Sequence, residues 1–169
     1  MKLHIGGERV RDGWRILNAQ PKAGVDFVGD IRDLAQFPTE SVDEIYASHV
    51  FEHVPQRDVV RTLSGIHRVL RSGGIFSVSV PDMDVLCKAF VDPAAGFDAR
   101  YHVMQMIFGG QSDDFDFHYF GWSELLLGRF LANAGFGEVA RVDSFGLFED
   151  FSEYKPYGFP ISLNLRAVK

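Results

Sequence analysis

Residues 42 to 80 limit the fold most, because they place a strongly one-sided helix between two strand-like runs. Val42 to Ser48 (VDEIYAS) reads as a strand rich in apolar residues. Pro55 follows, and it suits a first helical turn because its missing N–H would find no partner there. Val59, Leu63, Ile66 and Leu70 then recur at steps of four, three and four, which gives one apolar stripe. Arg68 and Arg71 stand near the negative end of that helix, and Gly73-Gly74 closes it. Ile75 to Val80 (IFSVSV) reads as a mostly buried strand. A helix with a single apolar stripe between two strands covers a sheet.

The rest of the chain continues the alternation. Lys2 to Ile5 reads as a first strand stopped by Gly6-Gly7, Arg15 to Ala19 as a second, and Val25 to Val28 as a short third. Met83 to Gln111 is helical in character but punctuated by Asp92-Pro93 and Gly96. Ser123 to Ala134 forms a firmer helix, with Leu127, Leu131 and Ala134 on one face and Gly135 as its stop. Val139 to Phe145 and Ile161 to Val168 are the last strands, and the final one alternates with the period of an antiparallel strand. These elements predict an α/β protein: a mostly parallel sheet with helices on both faces, in one domain over residues 1–169. A parallel crossover takes about a dozen residues. Gly6 to Trp14 falls short of that, so the first crossover helix is expected to be vestigial.

Charge and cysteine content remove several function classes. The net charge is -6 and no basic stretch stands out, so phosphate neutralisation cannot drive binding to nucleic acid. Small molecules or proteins are the expected partners. Cys87 is the only cysteine, which excludes a disulfide framework and a cysteine-based zinc cluster. No apolar run reaches membrane-spanning length, and a cytoplasmic protein is expected. The many late aromatics, Phe115 to Phe159, suggest a lid over a site, core packing or a homodimer contact.

One short string suggests chemistry by itself. His49, Glu52 and His53 stand in the order H-x-x-E-H, the spacing with which some zinc peptidases bind their metal. Such a peptidase needs both histidines on one continuous helix and a distant third ligand. Here a strand ends near Ser48 and Pro55 starts a new element, so the expectation is no metal.

Taken together, KLHIGG (2–7), GW (13–14), VGDI (28–31), SVDEIYASHVFEHV (41–54), HRVLRSGGIFSVSVPD (67–82), NAGF (133–136) and PISLNLRAVK (160–169) resemble the class I, Rossmann-like S-adenosylmethionine-dependent methyltransferases, in particular a short bacterial branch. The resemblance implies that the cofactor is S-adenosylmethionine and that the acceptor is a small molecule or glycan. It also implies a cofactor site at the carboxyl ends of the strands. His4 takes the family's acidic position after the first strand, with Gly6 and Gly7 as a reduced glycine turn. Asn18 takes the position of the ribose-binding acid, and Asp30 with Ile31 the adenine position. Ser48 and His49 form the lip of the pocket. For catalysis, His53 and His118 are the candidate bases, because imidazole titrates near neutrality, and Asp82 is a candidate to orient one of them. His4, Asn18 and the short turn depart from the family pattern. They keep open a second reading, a degenerate relative acting as a binding or assembly module.

Overall fold

A computed structural model describes residues 1–169. Seven strands form one sheet in the order β3-β2-β1-β4-β5-β7-β6. They are β1 Lys2–Ile5, β2 Trp14–Asn18, β3 Phe27–Val28, β4 Val42–Ser48, β5 Leu70–Pro81, β6 Glu138–Arg141 and β7 Ser162–Val168. The first five run parallel, and β7 runs antiparallel to both β5 and β6. Four α-helices accompany them: α1 Val59–Val69, α2 Met83–Val91, α3 Phe97–Phe108 and α4 Glu124–Asn133.

Strand periodicity separates the two faces of the sheet. In the β5–β7 pair, Phe76 lies opposite Ala167, Val78 opposite Leu165 and Val80 opposite Leu163. These six residues join Leu3, Ile5, Leu17, Ile45 and Ala47 in a 26-residue core. Helix α1 adds Leu63 and Ile66, and α4 adds Leu127 and Leu131. The predicted stripe of α1 is therefore its buried face. Leu70, the last of that stripe, begins β5 instead, pairing with Val42 before a register shift in the β4–β5 ladder. Gly74 lies in that stretch, where a Cβ would stand 2.8 Å from the carbonyl oxygen of Arg71.

The opposite face carries His4, Tyr46, Ser77, Ser79 and Asn164, all buried. Its cover over β1, β2 and β4 is a connection rather than a helix. Phe145 packs with Trp14 and Tyr46, together with Leu147 and Phe148. The Tyr46 hydroxyl donates to Asp150 at 2.7 Å, and the Asn164 amide donates to the carbonyl of Ser152 at 3.0 Å.

The geometry of the first crossover explains how that face came to be covered in this way. No helix lies between Ile5 and Trp14. A four-residue strand rises only about 13 Å, and the eight intervening residues can span roughly twice that when extended. The crossover therefore closes without a helix, and the β6–β7 connection occupies the surface a helix would have covered. Helices α2 and α3 pack on each other and on Ile161, just before β7, through Leu86 and Val103.

Candidate functional site

The carboxyl ends of β1 to β4 open into a cleft of about 630 Å³, within the usual range for small-molecule sites. It straddles the point where strand order reverses between β1 and β4, as ligand sites in open α/β sheets do. Gly6 lines it after β1, Asn18 and Gln20 at the end of β2, Asp30 and Ile31 after β3, and His49, Val50 and His53 after β4. Phe117 and Tyr119 close one wall.

At the β2–β3 end, the polar groups already have partners within the protein. The Asn18 amide donates to the carbonyl of Gly7 at 3.1 Å, and its oxygen accepts from the N–H of Gln20 at 2.9 Å. Asp30 accepts from the Arg32 backbone N–H at 2.8 Å and from its guanidinium through both oxygens, at 2.6 to 3.0 Å. Burial alone would raise the Asp30 carboxyl, but the Arg32 bonds outweigh it and hold it below the ordinary carboxylate range. Ile31 is buried beside it.

The two glycines after β1 are required by the protein's own packing. Gly6 has φ 75°, and a Cβ there would lie 2.3 Å from Val50 Cγ2. A Cβ at Gly7 would lie 2.4 Å from His4 Nδ1. His4 itself does not reach the cleft. Its ring lies on the opposite face, 4.0 Å from Phe148 between centroids, and burial pushes its pKa down to about 4 against the opposing pull of Asp150. His4, Gly7 and Ser48, expected at the cofactor, thus stand outside the cleft lining. Strand parity puts the His4 and Ser48 side chains on the side of the sheet that bears Tyr46.

The β4 end gathers titratable groups. The chain leaves β4 through His49, held at φ 52°, and makes a 3-10 turn over Phe51–His53. That turn buries Glu52 completely. The carbonyl of Glu52 accepts from the N–H groups of Tyr119 and Phe120, which fixes the 117–120 segment against the turn. His118 is thereby brought beside His53, with ring centroids 4.8 Å apart and nearly perpendicular. Gly109 makes the approach possible, since a Cβ there would stand 2.1 Å from the carbonyl oxygen of Asp116.

Two of the three residues expected to be catalytic therefore meet, and the third does not join them. Asp82 caps α2, accepting from the N–H groups of Asp84 and Val85, and pairs with Arg141 at 2.9 Å. Its carboxylate is committed there. Beside the two histidines lies Glu52, whose Oε1 is 3.4 Å from His49 Nδ1 and 4.0 Å from His118 Nε2. Glu52 was visible in the H-x-x-E-H string, but its third imidazole neighbour, His118, is distant in sequence and no local signal ties the two together.

Comparison with known proteins agrees with this geometry. A family profile described as a methyltransferase domain matches residues 10–78, the stretch from before β2 into β5 that holds Asn18, Asp30, Ile31, His49 and His53. That profile covers less than half of the chain, and what the chain shares over nearly its whole length with solved methyltransferases is the fold. A Burkholderia thailandensis 1,6-didemethyltoxoflavin-N1-methyltransferase, solved with S-adenosylhomocysteine, superposes with a TM-score of 0.62 at 17% identity, covering 99% of this chain and 70% of that one. An S-adenosylmethionine-dependent methyltransferase from Mesorhizobium loti gives 0.60 at 17% identity, covering 99% and 90%. Another from Archaeoglobus fulgidus gives 0.59 at 15%, covering 99% and 85%. No curated protein matches the chain in sequence. No helix is long and apolar enough to cross a membrane.

Proposed function

We propose that the protein transfers the methyl group of S-adenosylmethionine to a hydroxyl or amine of a small-molecule or glycan acceptor. The observation that carries this reading is the cleft itself: it lies at the reversal point of a methyltransferase sheet and has the volume for a nucleoside with its amino-acid tail. Asp30 and Ile31 offer a carboxylate and an apolar surface at one end, suited to an adenine amino group and ring. Gly6 and His49 border the other end, suited to the amino-acid tail and sulfur.

When bound, the cofactor supplies an electrophilic methyl group on a sulfonium. The chain's part is to align the acceptor in line with that group and exclude water. The aromatic wall of Phe117 and Tyr119 serves exclusion, and proton handling falls to the cluster of His53, Glu52 and His118 beside the cleft. Burial lowers the pKa of His118 and favours its neutral form.

Calorimetry with S-adenosylhomocysteine tests the proposal. Micromolar binding is expected, weakened roughly 10-fold or more in Asp30→Ala, since a hydrogen bond to a charged group contributes about 1.5–3 kcal/mol. No heat at near-millimolar ligand would instead favour the second reading, a methyltransferase scaffold used for binding or assembly. The internal partners of Asn18 and Asp30 and the packing roles of Gly6 and Gly7 are the observations in its favour.

A further inference from the structure

Glu52 is fully buried, and neither carboxylate oxygen has a hydrogen-bond partner in the protein. An ionised carboxylate removed from water in this state is costly unless a positive charge meets it. The neighbouring imidazoles do not meet it as neutral rings, because their hydrogens are held elsewhere. His118 Nδ1 lies 3.0 Å from the carbonyl oxygen of Met106, and His53 Nδ1 lies 3.0 Å from that of Phe117. A carbonyl only accepts, so both hydrogens sit on Nδ1 and both Nε2 atoms present lone pairs. His49 is fixed in the other sense. The Ser162 hydroxyl donates to the carbonyl of Phe151 at 2.8 Å and so accepts from His49 Nε2 at 2.9 Å. The lone pair of His49 Nδ1 then faces Glu52 Oε1 at 3.4 Å.

Several acceptors thus converge with no donor among them. The donor atoms of Glu52, His53 and His118 lie within 4.8 Å of one another. In a tetrahedral zinc site, donor atoms stand about 3.4 Å apart, so a contraction on the order of 1 Å completes the geometry. Histidine ligands of metals generally donate their second ring N–H to a backbone carbonyl or carboxylate, as His53 and His118 do here.

We infer that Glu52, His53 and His118 bind a divalent cation of the zinc class at the β4 end of the cleft, with His49 positioning the Glu52 carboxylate. Two imidazoles and one carboxylate suit such a borderline ion better than Mg²⁺ or Ca²⁺, which prefer oxygen ligands. His53 lines the cleft, so the remaining coordination position opens toward it. A cation there would lower the pKa of a bound hydroxyl and relieve the ring nitrogens of acting as bases. This differs from the peptidase arrangement of the same string, because the distant ligand, His118, comes from the segment after α3 and no continuous helix carries the pair.

The test uses tag-free protein, stripped with a chelator and titrated with Zn²⁺ by calorimetry in the absence of any methyl donor. Failure of the methyl-transfer reading would leave this result untouched. One equivalent should bind saturably, and Co²⁺ should develop the visible bands of a four-coordinate site. His53→Ala and His118→Ala should each weaken uptake at least about 100-fold, beyond the 10- to 100-fold typical of outer-shell partners. His102→Ala, whose ring is bonded to Tyr157, should leave uptake unchanged. In the unsubstituted protein, Zn²⁺ should shift the imidazole Nε2 signals of His53 and His118, a readout independent of how the variants fold. Absence of saturable uptake would overturn the inference, as would uptake that survives both substitutions with the Nε2 signals unmoved. Either result would mean that a proton, not a metal, occupies the cluster.

Discussion

The two faces of the sheet are built by different means. One is covered by α1 and α4 and packed with aliphatic and aromatic side chains, of which only the Trp122 indole carries a polar atom. The other buries His4, Tyr46, Ser77, Ser79 and Asn164 beneath the β6–β7 connection, where Phe148 stacks on Tyr46 and lies over His4. A helix cover demands only an apolar stripe from the sequence. A loop cover brings backbone carbonyls and polar side chains with it, and the sheet beneath must supply hydrogen-bond partners. Tyr46 to Asp150 and Asn164 to Ser152 are such pairs. Replacing the first crossover helix by a loop thus makes the second face of the sheet a polar interface.

Substitutions should separate the faces by magnitude. On the helix-covered face, Leu165→Ala removes buried methyl groups and should cost about 2–5 kcal/mol in denaturant unfolding. The loop-covered face should instead respond to pH. His4 is neutral in the fold and has a pKa of about 4, against 6.5 unperturbed. Its contribution is therefore complete above pH 6.5 and lost as the pH falls toward 4, up to about 3 kcal/mol. Unfolding midpoints at pH 7 and pH 4.5 should differ less in His4→Leu than in the parent; an equal difference would assign the slope to other groups.

Tyr46→Phe should cost about 1–2 kcal/mol, because it leaves Asp150 Oδ2 without its donor while Oδ1 keeps the Ser152 N–H. Ser79→Ala should change stability by no more than about 0.5 kcal/mol, since the Ser79 hydroxyl has no partner in the protein to lose. A large loss there would show that the polar face is more tightly satisfied than its hydrogen bonds indicate.

The same contrast decides what could be read in the sequence. The helix-covered face was legible because periodicity reports burial directly: the α1 stripe and the Leu163, Leu165 and Ala167 side of β7 are buried, although Ser162 and Asn164 on the other side of β7 are buried as well. The short first crossover was legible from chain length alone. The loop-covered face was not. His4, Ser48 and Gly7 were expected at the cofactor, and the sequence held no sign that the His4 ring packs under Phe148 and against Gly7. Strand ends also moved: β6 stops at Arg141, where the expected strand continued to Phe145, because Phe145 turns away to pack with Tyr46. At the site, the positions after β2, β3 and β4 could be placed from the order of elements. The meeting of His118 with Glu52 depends on a loop closure at Gly109 that no spacing rule encodes.

The central claim is that a nucleoside cofactor occupies the cleft at the strand ends and does not reach the polar face behind it. Backbone and methyl NMR spectra recorded during titration with S-adenosylhomocysteine test this most directly. Signals of Gly6, Asp30, Ile31 and Val50 should shift together and saturate, while those of Ser77, Phe148 and Asn164 stay in place. Shifts confined to the Phe148 side, or no shift at saturating ligand, would contradict the account.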